Sequence, residues 1–527
     1  MRSACIVASL VYALTALAGC AAQGAPQSAP VTSPALDVSP SARPADSSAT
    51  DGSAAHSSPS DLPATSRVRR PNIILLLTDD LDARAMGPFP RLKSLLSDQG
   101  TSFVNFFVSL SLCCPSRSSI LRGQYAHNHQ IFGNSPPSGG FEKFHELGHE
   151  DSTVATWLHD AGYRTALMGK YLNGYPNGVP PTYVPPGWDE WDSPARGNPY
   201  SEFDYTLNEN GALVAYGHNA DDYMIDVIGR KATEFIEGSA SAGAPFFLYL
   251  PVYAPHQPAT PAPRHADAFP GVTAPRPPSF NEADVSVKPE WVRDRPTLND
   301  PQQRRIDELY RKRLQSMLAV EDLMASLVGT LQSTGQLDNT FLFFSSDNGF
   351  HLGEHRLPPG KQTAYEEDIR VPLIVRGPGV PAGRTLEQLA GNIDLAPTFA
   401  ELAGATVPEF VDGRSLVRLL GESPPASDEW RQVFLLEHGD TSPPGAAPRT
   451  RARPMIPAYR AMHTRDSVYM EYATGERELY DLRADPYELQ NLQATTDSSG
   501  LAQLSARLAE LSHCAGDSCR VAEDKPL

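Results

Sequence analysis

Continuous apolar runs of strand length are the feature that most constrains how this chain can fold. Asn72–Thr78 and Thr340–Ser346 are two such runs, and residues 246–252 and 163–168 form two more. Runs without apolar–polar alternation are typical of strands that are buried on both faces of a parallel sheet. We therefore predict a sheet that is covered on both sides.

The segments between these runs contain helical patterns. In residues 302–333, apolar side chains recur at steps of three and four residues, and Gly335 follows as a stop signal. Strands that alternate with helices form a mostly parallel sheet with helices on both faces. The predicted fold class of the large domain, residues 71–424, is therefore α/β.

The chain changes character near Pro424. Short, partly alternating segments separated by turn residues follow at 433–437, 459–463, 467–472 and 478–482. This pattern predicts an antiparallel sheet, and residues 501–511 predict a final helix. We expect a smaller C-terminal antiparallel-sheet subdomain over residues 425–527.

Two of the apolar runs end in side chains that carry oxygen atoms. Asp79 and Asp80 follow the first run, and Asp347 and Asn348 follow the other. Ligands of open α/β sheets bind beyond the carboxyl ends of the strands, and a set of oxygen ligands selects a hard cation, Ca²⁺ before Mg²⁺. Taken alone, either pair is more often a helix cap or a turn former.

The most informative motif is Cys113-Cys114-Pro115-Ser116-Arg117. It resembles the C-x-P-x-R signature of the type I sulfatases, and the resemblance covers most of residues 71–492. In that family a maturation enzyme oxidises the first cysteine to formylglycine, the catalytic residue. The alternative is an unmodified, buried cysteine. The resemblance implies an alkaline-phosphatase-like fold with a catalytic domain over residues 71–424.

The resemblance also implies a metal site. Type I sulfatases bind one Ca²⁺ ion through two N-terminal aspartates, a later Asp-Asn pair and formylglycine. The matching residues here are Asp79, Asp80, Asp347, Asn348 and the modified Cys113. In a chain that also carries the signature, two such pairs favour a metal site over caps and turns.

Four further residues match catalytic positions of the family: Arg117, Lys170, His256 and Lys361. The resemblance implies that both lysines bind sulfate and that His256 gives a proton to the leaving alcohol. Arg117 can bind the aldehyde hydrate or sulfate oxygen atoms. The alternatives are solvated surface charges for the lysines and a polar surface position for the histidine. The motifs leave open which of four other histidines contacts substrate: His127, His129, His351 or His355.

Formylglycine implies a covalent mechanism. One hydroxyl group of the hydrated aldehyde attacks sulfur, and the alcohol leaves. The second hydroxyl group is then deprotonated and sulfate is expelled, which regenerates the aldehyde. A sulfate ester of serine or cysteine has no such internal exit, so a plain thiol at Cys113 would not be sufficient.

The segment Gly169-Lys170-Tyr171-Leu172-Asn173 resembles the N-acetylglucosamine-6-sulfatases. Leu172 stands where many sulfatases have a histidine, so the role of that histidine is unfilled. The implied substrate is a sulfated carbohydrate of glycosaminoglycan type, and small aryl sulfates would also react. Two alternatives remain: a phosphonate or phosphodiester hydrolase of the same superfamily, and a non-catalytic glycan-binding lipoprotein in which Cys113 is not matured.

The N-terminus predicts export and lipid anchoring. Residues 1–20 have the pattern of a secretory signal and end in Leu17-Ala18-Gly19-Cys20, a bacterial lipobox in which Cys20 would carry the lipid. Residues 21–70, rich in Ala, Pro, Ser and Thr, predict a disordered tether. The alternative is an ordinary signal peptide with a chance cysteine. We expect anchoring by lipid alone, outside the bacterial cell membrane or in the periplasm.

Charge and cysteine content restrict the partners. The chain of 527 residues has a net charge of −18 with His neutral, which argues against nucleic acid as a partner. A sulfated anion must therefore be attracted by a local cationic pocket. Cys514 and Cys519 are placed to close a small disulfide loop, as in exported proteins, and the sequence has no clustered zinc ligands.

Replacement of the lipidated residue tests the anchor. Cys20→Ser should move the protein out of the detergent-extracted membrane fraction or block its processing, because stable anchoring requires the acyl chains. Cell fractionation measures the shift, and Cys5→Ser, within the signal itself, is the matched control. Equal membrane retention and normal signal cleavage in both variants would contradict the lipobox.

Overall fold

The computed structural model describes residues 70–439 and 456–526. The expected signal peptide and all of the expected tether except Arg70 lie outside the described residues. The described residues belong to one compact unit. The expected division at residues 424 and 425 therefore stays a prediction.

The strands of the described residues are short to medium in length. In chain order they are β1 Asn72–Thr78, β2 Thr101–Phe103, β3 Phe106–Phe107, β4 Arg164–Met168, β5 Glu190–Gly197, β6 Tyr205–Glu209, β7 Ala212–Tyr216, β8 Phe246–Pro251, β9 Thr340–Ser346, β10 Leu373–Arg376, β11 Arg384–Leu386, β12 Ala390–Gly391, β13 Phe434–His438, β14 Tyr459–His463, β15 Ser467–Tyr472 and β16 Arg477–Asp481.

The helices vary from one turn to more than nine. They are α1 Pro90–Leu95, α2 Cys113–Arg122, α3 Ala126–His129, α4 Gly140–Glu146, α5 Val154–Asp160, α6 Met224–Ala242, α7 Glu290–Arg293, α8 Asp300–Ser333, α9 Glu366–Ile369, α10 Leu395–Ala403, α11 Val417–Leu420, α12 Ser498–Leu511 and α13 Asp517–Asp524.

A ten-stranded sheet forms the middle of the protein, in the order β11-β2-β10-β9-β1-β8-β4-β5-β6-β7. Its centre, from β9 to β5, is parallel, as the buried apolar runs predict. Every residue of β1 is buried. Leu75 and Leu77 join the core on one face of the sheet, whereas Ile74 and Leu76 join the core on the other.

The flanks of this sheet contain antiparallel pairs, so the sheet is mixed. β6 and β7 are joined by Asn210 and Gly211, which have φ angles of 48° and 92°. An Asn-Gly turn with both φ angles positive matches the twist of a hairpin, and so short a connection permits only antiparallel neighbours. This dipeptide is a sequence signal for a hairpin. It lies outside the four apolar runs from which the parallel sheet was predicted, so those runs did not reveal the antiparallel flank.

Helices cover both faces of the large sheet. α6 and α8 pack on one face, and α2, α5 and α10 pack on the other. Among the described residues, α8 alone is long and apolar enough to cross a membrane, but 72% of its most apolar window is buried inside the protein. We interpret α8 as a core helix.

The C-terminal residues form the predicted antiparallel sheet, in the order β13-β14-β15-β16, and α12 packs on it. Its core is shared with the rest of the protein, because Phe107 and Tyr365 pack in the same cluster as Phe434. The predicted disulfide between Cys514 and Cys519 is present. The last helix, α13, which contains Cys519, was not predicted.

A buried arginine joins α13 to the large domain. Arg431 donates from Nη2 to Asp394 Oδ1 at 2.7 Å and from Nε to Glu523 Oε2 at 2.7 Å. All three side chains have no exposed surface. Charges that are fully removed from water are tolerated only when they are paired. Arg431 pairs with both carboxylates, and Glu523 is also paired with Arg414 at 2.8 Å.

Loss of this arginine should destabilise the protein strongly. Arg431→Ala leaves the buried Asp394 carboxylate without its cation and removes one of the two arginines that contact Glu523, and the expected loss in the free energy of unfolding is about 3–5 kcal/mol. Denaturant unfolding measures it. Arg483→Ala removes an ion pair whose arginine is 66% exposed and should have little effect. Similar losses in both variants would contradict this account.

Candidate active site

Four neighbouring strands of the large sheet carry the predicted site residues to one edge. The strands are β9, β1, β8 and β4, and they are parallel, so their carboxyl ends lie together. The residues beyond these ends include Asp347 and Asn348, Asp79 and Asp80, His256, and Lys170. The structure therefore brings together the acidic and amide residues that the strand patterns predicted at this edge and two residues, Lys170 and His256, that the family resemblance predicted.

Cys113 is the first residue of α2, a helix whose residues are all buried. Pro115 lies in its first turn, where its missing N–H removes no helical hydrogen bond, and Gly123 ends the helix with a φ of 66°. The helix dipole places partial positive charge at the Cys113 end. Cys113 Sγ lies 3.5 Å from Asp79 Oδ1 and 2.7 Å from Lys361 Nζ.

The acidic side chains beyond β1 and β9 are linked by hydrogen bonds. Asn348 Nδ2 donates to Asp80 Oδ1 at 2.6 Å, and the Asp80 backbone N–H donates to Asp347 Oδ1 at 3.2 Å. Asp80 has a φ of 70°, which is uncommon outside glycine. Its carbonyl accepts from the Arg313 guanidinium, and the next backbone N–H donates to Ser346 Oγ at 2.9 Å. These contacts hold the backbone in that conformation.

Two buried cations face these carboxylates. Arg117 donates from Nε to Asp347 Oδ2 at 2.8 Å and from Nη1 to the Lys170 carbonyl at 2.7 Å. Its Nη2 is 3.5 Å from Asp79 Oδ2 and has no hydrogen-bond partner. The Lys170 ammonium donates to the Asp79 carboxylate. The site therefore contains buried donors beside its acids.

His256 lies beside the acidic cluster. Its Nδ1 is 2.6 Å from the Gln257 carbonyl, a contact that requires the proton on Nδ1. Its Nε2 is 3.7 Å from Asp80 Oδ2, and its ring packs on Tyr200 with centroids 4.5 Å apart. The side chain is 25% exposed, so a bound molecule can reach Nε2 and exchange a proton with it.

The four histidines that the motifs left open are bonded elsewhere. Their side-chain partners are Glu437 for His127, Ser119 for His129, Asp368 for His351 and Glu282 for His355. We call the side chains around Cys113 the Cys113 cluster: Asp79, Asp80, Cys113, Arg117, Lys170, His256, Asp347, Asn348 and Lys361. Among the described residues, none of the four histidine side chains forms a hydrogen bond with a side chain of this cluster.

A pocket of about 420 Å³ opens beside Lys170. Tyr200 and Tyr253 form an aromatic wall with ring centroids 4.9 Å apart, and the Lys170 ammonium lies over both rings. Asn173 lines the pocket and donates to the Tyr200 hydroxyl at 3.2 Å. Arg196 is exposed on its lining. Aromatic, amide and cationic groups thus surround one space.

The motifs missed several of these residues. Tyr253 directly precedes Ala254-Pro255-His256, so its place was readable from the strand end. Arg313 lies among the buried, mostly apolar positions of α8. A charged residue on such a helical face is a sequence signal that the motifs did not use. Arg196 lies near the end of β5, next to a shift in strand register, and Tyr200 follows in a short 3₁₀ helix. Neither position has a sequence signal, and only the chain path brings them to the site.

Family models match most of the chain. A model described as Sulfatase matches residues 71–405, and one described as N-sulphoglucosamine sulphohydrolase, C-terminal, matches residues 353–513. The chain belongs to the sulfatase family. It is 35% identical over 484 residues to human N-acetylglucosamine-6-sulfatase, with 86% of each chain covered. The protein is therefore a sulfuric ester hydrolase, as predicted.

Solved structures support the fold. A structure described as a complex with D-glucosamine-2-N,6-O-disulfate matches with a TM-score of 0.70 and 24% identity, covering 86% of this sulfatase and 99% of that chain. A phosphonate monoester hydrolase from Silicibacter pomeroyi matches with a TM-score of 0.65 and 23% identity, covering 84% and 94%. The α/β architecture with its small C-terminal sheet is thus shared.

The residues of this sulfatase fit a divalent metal ion. The Lys361 ammonium contacts the Asp80 carboxylate, Cys113 Sγ at 2.7 Å and Asn348 Oδ1 at 3.4 Å, so these groups converge on one positive charge. Ligand atoms of Asp79, Asp80, Cys113 and His256 lie within 4.8 Å of one another. Carboxylate and amide oxygens suit a hard cation.

The pKa values at the site reflect burial and charge. Burial would raise the pKa of the Asp79 carboxyl, but the surrounding cations, Lys170 first among them, hold it well below its usual range. Burial and the Asp79 carboxylate raise the pKa of the Cys113 thiol to about 12. The unmodified thiol is therefore protonated at neutral pH and is a poor nucleophile.

Metal dependence tests the oxygen cluster. Asp347→Ala should lower activity by more than about 100-fold, since changes next to metal ligands already cost 10–100-fold. Chelation should also abolish the activity of the wild type, and Ca²⁺ should restore it better than Zn²⁺. Asp338→Ala, an exposed change before the same strand, is the control. Activity that is indifferent to chelators, in protein without bound divalent ions, would contradict the metal site.

Proposed function

We propose that this sulfatase removes sulfate from sulfated N-acetylglucosamine units of glycosaminoglycan type, through formylglycine formed from Cys113. The observation that carries the proposal is the placement of Cys113 Sγ at the start of a buried helix, between Asp79 Oδ1 and Lys361 Nζ. The identity to human N-acetylglucosamine-6-sulfatase supports the substrate class.

Modification of Cys113 answers a chemical need of the site. The pKa of about 12 leaves the unmodified thiol protonated, and a protonated thiol is a weak nucleophile. Formylglycine supplies a hydrated aldehyde whose hydroxyl group can attack sulfur. Cys113 at the N-terminal end of α2 holds that group where partial positive charge favours a bound sulfate.

The buried cations orient the sulfate group and neutralise its charge. Lys170 and Lys361 flank Cys113 through their contacts with Asp79 and Asp80. Arg117 Nη2 has no hydrogen-bond partner and can donate to an oxygen of the bound group. Hydrogen bonds between charged partners are strong where water is excluded, so these residues overcome the negative net charge of the protein.

His256 is proposed as the general acid. Nδ1 keeps its proton on the Gln257 carbonyl, which leaves Nε2 to carry the transferable proton. Protonated Nε2 would give that proton to the alcohol oxygen as the sulfur–oxygen bond breaks. The proposal is supported by the position of the His256 ring, which lies near Asp80 on one side and packs on Tyr200 on the other.

We propose Ca²⁺ as the metal ion, held by Asp79, Asp80, Asp347, Asn348 and modified Cys113. When bound, the ion supplies charge stabilisation for the sulfate oxygens and activation of the hydroxyl nucleophile. The all-oxygen protein ligands favour a hard cation. The hydrogen bonds from Asn348 to Asp80 and from Asp80 to Asp347 keep these ligands aligned.

The pocket beside Lys170 is proposed to hold the sugar ring. Aromatic faces pack on sugar C–H groups, and a few placed polar groups fix orientation. Tyr200 and Tyr253 provide the faces, and Asn173 provides an amide. Arg196 has no ion pair among the described residues and would attract the further acidic groups of a glycosaminoglycan.

Export, lipid anchoring at Cys20 and maturation by a formylglycine-generating enzyme complete the proposal. The Cys514–Cys519 disulfide supports an oxidising compartment. The maturation enzyme is required because Cys113 would otherwise stay a thiol.

A phosphonate or phosphodiester hydrolase is the second candidate, favoured by the phosphonate monoester hydrolase that shares the fold. Sulfate and phosphonate monoesters place similar charge at the same position, so the buried cations alone do not discriminate between them. Rates on matched esters decide between the two candidates.

Substrate assays with matured protein test the proposal. N-acetylglucosamine 6-sulfate should be hydrolysed at least about 100-fold faster than a matched phosphonate monoester, as expected when a few kcal/mol of transition-state binding differ. Peptide mass spectrometry should find an aldehyde at Cys113. Cys113→Ala should abolish turnover and Cys114→Ala should retain it. Active protein with an intact Cys113 thiol would contradict the mechanism, and faster phosphonate cleavage would favour the second candidate.

A further inference from the structure

We propose that His355, Glu367 and Glu488 bind a second divalent cation, of the Zn²⁺ or Mn²⁺ type, at a site that shares no ligand with the Cys113 cluster. The inference does not depend on the substrate or on the modification of Cys113. It follows from the burial, geometry and missing hydrogen bonds of these three side chains.

The three side chains come from separate segments and meet inside the protein. His355 lies in the loop after β9, Glu367 in α9, and Glu488 in the C-terminal region after β16. Their ligand atoms all lie within 4.8 Å of one another. The residues are only 1%, 5% and 1% exposed, so bulk water does not solvate them.

Each residue uses one polar atom to fix its orientation. His355 Nδ1 is bonded to Glu282 Oε2 at 2.8 Å. Glu367 Oε1 accepts from Arg84 at 2.6 Å, and Glu488 Oε2 accepts from the Glu366 backbone N–H at 3.0 Å. The three side chains are thus held in place from outside the group.

The other polar atom of each residue has no hydrogen-bond partner. These atoms are His355 Nε2, Glu367 Oε2 and Glu488 Oε1. Buried polar atoms are almost always paired, and an unpaired group in a native structure requires an explanation. A cation bound to all three atoms would satisfy them together, whereas a single hydrogen bond would satisfy only two.

The ion pairs around the group also favour a cation. Among the described residues, the two buried carboxylates of Glu367 and Glu488 form one ion pair with an arginine or lysine, between Glu367 Oε1 and Arg84 at 2.6 Å. Buried carboxylates require a paired positive charge, and a divalent ion would supply it.

The ligand types indicate the class of metal ion. One imidazole and two carboxylates suit Zn²⁺ or Mn²⁺, in contrast to the all-oxygen protein ligands beyond β1 and β9. The Glu282 contact to Nδ1 is the carboxylate–histidine arrangement that holds metal-binding imidazoles with Nε2 free. The two sites should therefore differ in metal preference.

The position of the site indicates a structural role. The Phe350 N–H donates to the Glu367 carbonyl, and the Gly349 N–H donates to the Asp368 carbonyl, both at 2.8 Å. The segment that carries Glu367 therefore supports the loop directly after Asn348. An ion that also binds Glu488 would tie that loop to the C-terminal region and stabilise both.

Metal stoichiometry tests the proposal on the full-length protein. Chelator-stripped protein is first saturated with Ca²⁺, then given Zn²⁺ or, separately, Mn²⁺, and washed before elemental analysis. Wild type and Asp347→Ala should each retain one equivalent of the transition ion. Glu488→Gln should retain less than a tenth of it, whereas the exposed control Glu237→Gln should retain it fully.

Thermal unfolding provides a second measurement. The bound ion should raise the melting temperature of the wild type by at least about 2 °C, because it binds only the folded state, and this shift should be absent in Glu488→Gln. If Glu488→Gln does not fold, His355→Asn replaces it, since asparagine tolerates the φ of 53° at that position.

Three outcomes would overturn the second site. They are the absence of a retained equivalent in the wild type, its loss in Asp347→Ala, and its retention in the Glu488 or His355 variant. All readouts are bound metal or melting temperature, so a failure of the proposed sulfatase substrate or mechanism would leave these results unchanged.

Discussion

The burial of charge at the edge of the central strands is the constraint on which the rest of this structure depends. β1 and β9 are adjacent and in register, so Thr78 and Ser346 lie side by side and the acids beyond them are forced together. Carboxylates at this depth persist only with paired cations. Arg117 comes from α2, Lys170 from the loop after β4, and Lys361 from the long loop after β9. Sheet, helix and loops must therefore form together before the cluster is stable.

This requirement explains why the surrounding layers are so fully packed. α2 is buried along its whole length. Its N-terminal end lies at the site, and the rest of the helix packs against α5 and α10. The C-terminal sheet closes the same side: the Tyr459 hydroxyl donates to the Gln362 carbonyl at 3.2 Å, next to Lys361. Arg431 joins that region to the large domain through buried ion pairs. The small sheet thus takes part in positioning the catalytic edge.

Two groups of buried acids in this protein show the same physical principle with different results. At the Cys113 cluster, each acid contacts a cation of the chain, and Lys361 occupies the point where oxygen ligands converge. Around Glu367 and Glu488, Arg84 pairs with one carboxylate, and three buried ligand atoms, on His355, Glu367 and Glu488, have no hydrogen-bond partner. The first arrangement suits a reaction with an anionic substrate. The second suits a fixed ion that supports the adjacent loop.

The sequence by itself determined the central strands β1, β4, β8 and β9, the small antiparallel sheet, the family, and which side chains lie beyond the carboxyl ends of those central strands. Short apolar runs without alternation, bounded by turn residues, favour strands of a buried parallel sheet, and Asp79 and Cys113 belong to motifs whose spacing is local. The sequence could not determine the antiparallel flanks of the sheet, the pocket wall at Tyr200 and Arg196, or the meeting of His355 with Glu488. Those features join residues that are distant along the chain and carry no periodic pattern. Only the tertiary structure decides them, because contacts between distant segments depend on how the layers pack rather than on local propensity.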